Sequence, residues 1–97
     1  MAAKPFHERV TGGVVGIAGE AHGAGKIDRA VIRELARQLR EAYPQANFDT
    51  GVNYMQGVDT IIIDHEPGDD AAADAAEVAE HQQRIAAMIA AAFATAV

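Results

Sequence analysis

The sequence predicts a small α+β domain that spans residues 1–97 and runs helix, helix, β-hairpin, helix. Three observations predict it. Two β-rich runs, 47–54 and 58–65, flank Met55-Gln56-Gly57; residues 28–43 carry a capped helical pattern; and 13 of the 27 residues from Ala71 onward are Ala, the best helix former.

Residues 5–26 allow two readings. Val10, Val14, Ile17 and Ala21 recur with helical spacing, and Gly12, Gly16, Gly19 and Gly23 repeat it on the opposite side, which favours a helix. Each interior Gly costs that helix about 1 kcal/mol relative to Ala. A short strand near Val14–Ile17 followed by a Gly-rich loop is the competing reading.

Residues 28–43 form the clearest helix. Asp28 is a good N-cap, Ile27 and Ile32 stand at the positions of a hydrophobic staple, and Pro44 forbids continuation. Ile32, Leu35, Leu39 and Tyr43 form the inward face. Arg29, Arg33, Arg37 and Arg40 line its flank and are half of the eight basic residues in the chain.

A three-residue connection with Gly57 in the left-handed position suits a hairpin. The register it implies puts Phe48, Val52, Tyr54, Val58 and Ile62 on the core face. The other side then shows Asn47, Asp49, Gly51 and Asn53 beside Asp59, Ile61, Ile63 and His65, a mixture suited to water or to a partner. Glu66-Pro67-Gly68-Asp69 reads as a type II turn, and the last helix starts on Asp69 or Asp70. In that helix Asp70, Asp74, Glu77 and His81 form one stripe beside Val78, Ile85, Ile89 and Ala96. No charge remains from Ile85 to Val97. Being apolar on every side, this end calls for cover, which so small a body can hardly supply, so the expected cover is a second copy.

Net charge of −6 and a pI near 5.0 argue against attraction to nucleic acid or anionic membrane. The absence of Cys removes disulfides and thiolate catalysis. With no signal-like N-terminus and no apolar run of spanning length, the chain is expected to be cytoplasmic, or to sit in a virion.

Two motifs could carry chemistry. The segment Val14–Lys26, VVGIAGEAHGAGK, resembles the strand and phosphate-binding loop of P-loop kinases, and Thr60–Asp64, TIIID, resembles the apolar strand whose carboxylate helps hold Mg²⁺ in that family. The resemblance implies nucleotide binding with Lys26 on the β- and γ-phosphates. The loop is one residue longer than G-x-x-x-x-G-K, and Ile27 stands where the family has Ser or Thr. The second motif is Asp64-His-Glu-Pro-Gly-Asp-Asp70, where Asp64, His65, Glu66 and Asp69 are candidate ligands for a divalent cation.

The function expected from these residues is a non-enzymatic protein-binding or assembly module with no cofactor. It would self-associate through its C-terminal helix, using Ile85, Met88, Ile89 and Phe93, and meet an acidic partner through Arg29, Arg33, Arg37 and Arg40. A homo-oligomer, a structural subunit of a phage or other particle, or a phage inhibitor of a host protein fits this profile. The alternative is a reduced nucleotide- or metal-binding domain using the 19–26 loop and the 64–70 turn.

Overall fold

The computed structural model describes residues 4–95. Its elements are α1 (Phe6–Arg9), β1 (Val10–Ile17), α2 (Arg29–Ala42), β2 (Asn47–Val52), β3 (Thr60–His65) and α3 (Ala71–Thr95), with one 3-10 turn at Gly19–His22. The fold class is α+β, and the element order is close to the expected one from residue 28 onward.

Pairing within the sheet differs. The strand order is β2-β1-β3, with β1 parallel to β2 and antiparallel to β3. The two runs around Met55-Gln56-Gly57 are therefore consecutive strands that do not pair with each other; β1 lies between them. Its residues explain why it is a strand. Val10, Thr11, Val14, Val15 and Ile17 are β-branched and suit a pleated surface, whereas a helix here would carry the cost of three glycines. Gly12 and Gly13 hold φ of 153° and 150°, a conformation available to glycine and closed to other residues. A register shift between Val10 and Gly12 leaves Thr11 unpaired, a β-bulge that bends the entry into the strand.

Residue 28 onward follows local rules. The Asp28 carboxylate accepts the Ala30 amide at 2.9 Å, Ile27 and Ile32 pack on the core, and the Tyr43 amide donates to the Leu39 carbonyl as α2 ends before Pro44. Asp70 caps α3 by accepting the Ala72 and Ala73 amides at 3.0 and 3.3 Å. Gly57 adopts the left-handed φ of 67°, as its turn requires, while Gly68 has no positive φ, so the 66–69 turn is not type II.

Helices α2 and α3 pack on each other and on one face of the sheet. Between them and the sheet lie Val15, Ile17, Val31, Leu35, Leu39, Tyr43, Ile63, Ile85, Ile89 and Phe93. The inner face of β3 is thus Ile61 and Ile63, so the hairpin expectation of Ile62 inside is corrected by one residue of parity, while Tyr54 and Val58, also expected inside, lie exposed in the loop between β2 and β3. That correction follows from alternation: pairing to β1 in place of β2 sets which side each β3 residue takes. A second correction concerns α3. Ile85 and Ile89 are 0% exposed, and Phe93 is buried too, so its large apolar residues are covered by the chain's own sheet and α2. Outward positions such as Ala87, Ala90 and Ala94 carry only methyl groups. Ala96 and Val97 lie outside the described residues. No helix among the described residues is long and apolar enough to cross a membrane.

Candidate docking surface

The side of the sheet away from the helices is bare, and register sets its composition. Three cross-strand rows run from β2 through β1 to β3: Asn47, Gly12, Asp64; then Asp49, Val14, Ile62; then Gly51, Gly16, Thr60. Val14 is 41% and Ile62 50% exposed, and together they form an apolar centre. The sheet is mixed, one parallel and one antiparallel pair, and its helices cover the other face. Among the described residues no helix lies over this face, and the Asn53 side chain crosses its Gly16 end to reach Thr60.

Two kinds of residue surround that centre. Asp49 and Asp64 are exposed and form no ion pair among the described residues. Neither Gly16 nor Gly51 has a positive φ; a Cβ on Gly16 would press on the Asn53 side chain at 3.2 Å, so of the two only Gly51 is a low spot open from above. A Cβ on Gly51 would meet nothing within 4 Å. Glycine inside a strand leaves room for the close approach of another backbone.

At the end of the face, the loop after β2 is organised by Asn53. Its Oδ1 accepts the Met55 and Gln56 amides at 3.2 and 3.1 Å, and its Nδ2 donates to the Val58 carbonyl and Thr60 Oγ1 at 2.7 and 2.8 Å. Held in this way, Tyr54 is 87% and Met55 96% exposed. An ordered loop that presents an aromatic and a thioether to solvent extends the apolar surface beyond the strands.

The residues singled out from sequence are placed as follows. Arg29, Arg33, Arg37 and Arg40 are all exposed on α2. Arg37 is held by Glu34 and Glu41 of its own helix; the hydrogen bond from Arg37 draws the Glu34 carboxyl down to about 2 and raises the Arg37 guanidinium above its ordinary value. Arg29, Arg33 and Arg40 form no ion pair among the described residues. The acidic stripe of α3 does not pair with them: Asp70 caps the helix, Asp74 turns to Arg9, and Glu77 faces His81 at 3.6 Å. Ile85, Ile89 and Phe93 are internal and Met88 is partly buried.

No group of three His, Asp or Glu among the described residues is placed to hold a metal ion, and the 64–70 turn separates its candidates. Asp64 lies on the bare face, the His65 ring packs 5.2 Å from Phe6, the Glu66 amide and carbonyl both bond Arg9, and Asp69 is exposed. Lys26 stands exposed at a cleft of about 150 Å³ beyond the C-terminal ends of β1 and β2, beside Ala18, Gly19, Val52, Asn53 and Tyr54. The strand–loop–helix order of a nucleotide cradle is present there. Ile27 leaves it without the hydroxyl that would bind Mg²⁺.

Several long-range polar pairs were not foreseeable from local spacing, among them His22 Nε2 with Asp59 Oδ2 at 2.6 Å. Tyr43 OH meets His81 Nδ1 at 2.7 Å in the core. Burial lowers the His81 pKa and raises that of Tyr43, which favours the neutral form of both, and His81 Nε2 lies 3.6 Å from the Glu77 carboxylate. At the base of the sheet, Arg9 donates to Asp74 Oδ1 at 3.1 Å and to the Glu66 carbonyl at 3.0 Å, while the Gly68 amide donates to Asp74 Oδ2 at 2.7 Å. A Cβ on Gly68 would lie 2.8 Å from that carboxylate.

The Gly68 amide and then Arg9 hold the Asp74 carboxyl below its ordinary value of 3.8. A depressed folded pKa contributes stability at pH above 3.8 that is lost as pH falls through the folded value. Asp74→Asn should therefore be less stable than wild type at neutral pH, and the two unfolding midpoints should converge as the pH drops below 3.8. Urea titrations across the acid range check this.

Comparison with protein-family models, with curated proteins and with solved structures finds no match for this chain.

Proposed function

We propose that this protein is a non-enzymatic protein-binding module whose docking surface is the bare face of the sheet, extended by the Tyr54-Met55 loop. One observation carries the reading: a parallel β1–β2 pair is covered on one side only, with the Val14–Ile62 pair standing in solvent at the centre of the other. The aromatic and Met residues of the loop are types enriched in protein interfaces. Assembly through α3 rests on less, because the residues that would have driven it, Ile85, Ile89 and Phe93, form the core.

A photo-crosslinking residue placed at position 14 or 62 tests the proposal in the native cell, with position 87 on the outer side of α3 as the reference. Discrete heavier species are expected from 14 and 62 and none from 87. The adduct mass tells a second copy from a different protein. No adduct from 14 or 62, or an equal yield from 87, contradicts the proposal.

A further inference from the structure

We infer that the occupant of the bare face is a single amphipathic helix of another protein, its apolar stripe flanked by Lys or Arg. The inference rests on the docking function proposed above and adds the shape and charge of the partner. Shape follows from dimensions. The axes of the two outer strands of a three-stranded sheet stand about 10 Å apart, close to the width of one α-helix at about 10 Å. β1 is eight residues long, or about 26 Å, which matches a helix of about 17 residues.

The centre of the face suits such a helix. Val14 and Ile62 make one low apolar ridge, with Gly51 beside it on β2. Gly51 is the informative one, because nothing in the fold occupies the space its Cβ would take. A helix backbone lying close over β2 needs that space empty.

Charge decides the partner's flanks. Asp49 on β2 and Asp64 on β3 stand on opposite sides of β1, and neither is neutralised by an ion pair among the described residues. The nine positions of the face contain no basic residue. Two copies meeting face to face would bring these carboxylates together, and the net charge of −6 adds to the repulsion. A helix with cations on both flanks of its stripe pairs with both aspartates at once.

The test uses the full chain and two synthetic helical peptides of about 17 residues that share one Leu/Ala stripe, one flanked by Lys and the other by Glu. Amide chemical shifts are followed as each is added, alongside the crosslinking experiment above. Saturable shifts on β1, β2 and β3 are expected with the Lys peptide only, weakening as salt is raised. Asp49→Lys with Asp64→Lys should lower that affinity about tenfold, the worth of two exposed ion pairs. Gly51→Val should abolish binding while leaving the unfolding midpoint at or above wild type. Equal binding of the two peptides, or binding that survives Gly51→Val, overturns the inference. So does absence of binding, or a crosslinked adduct of twice the chain mass. Crosslinks from positions 14 and 62 that persist in those cases leave the docking function standing, and loss of both removes it as well.

Discussion

Replacing Gly13 by Ala is expected to cost at least 3 kcal/mol, on the order of half the stability of a domain this size. The residue holds φ of 150°, where a side chain alone costs about 1–3 kcal/mol. A Cβ built there falls 1.9 Å from the Ile62 carbonyl oxygen and 3.1 Å from the Phe48 ring. The first of these is the backbone of the paired strand, so relief requires β1 and β3 to part. Gly51→Ala is the matched control. Its Cβ meets nothing within 4 Å, and removing a glycine from the unfolded ensemble stabilises by about 0.4–1 kcal/mol. The same one-carbon addition on two strands of one sheet should thus give opposite signs in urea unfolding. Equal effects would contradict the backbone geometry of β1.

Ile89→Ala is the second large effect. The side chain is 0% exposed among Leu35, Leu39, Ile85 and their neighbours in the core, and truncation of a buried Ile costs about 2–5 kcal/mol, including the cavity left behind. The loss should be the same at every protein concentration, because the contacts are within one chain. Had α3 been covered by a second copy, the midpoint would rise with concentration by mass action. Thermal melts of wild type and variant over a hundredfold range of about 1–100 μM separate the two; a concentration-dependent midpoint, or a loss below about 1 kcal/mol, speaks against the assignment of Ile89 to the core.

Helices α2 and α3 were legible because their signals are local, whereas the helix favoured over residues 5–26 is replaced by α1, β1 and a 3-10 turn. Asp28, the Ile27/Ile32 staple and Pro44 bound α2, and Asp70 with the Ala run sets α3. The sheet was not, because what decides it is a segment distant in sequence. Residues 47–65 carry every local mark of a hairpin, and nothing within them reports that Val10–Ile17 slides between the two strands. The Gly spacing in β1 happens to match a helical period, which masks the β-branched residues that make it a strand.

The consequence for the candidate surface is specific. On β2, the outward set Asn47, Asp49 and Gly51 is the one read from sequence as open to a partner. On β3 the parity is reversed: Thr60, Ile62 and Asp64 face out, whereas the hairpin register had Ile61 and Ile63 there. Three consecutive isoleucines give no alternation by which sequence could choose between them. The Tyr43–His81 and Arg9–Asp74 pairs, 38 and 65 residues apart, were beyond reach for the same reason. For α3, the uncharged stretch after Ile85 looks too apolar for so small a body, but among its described residues the outer positions are mostly Ala, which adds little area, while Ile85, Ile89 and Phe93 turn inward and Met88 is partly buried.

The central claim is that one sheet face is open while the isoleucines of α3 are closed. Methyl NMR of the free protein with a paramagnetic cosolute reads this directly. The methyl groups of Val14 and Ile62 should broaden strongly, while those of Val15, Ile17, Ile85 and Ile89 stay sharp. Protection of Val14 and Ile62, or broadening of Ile85 and Ile89, would contradict the account.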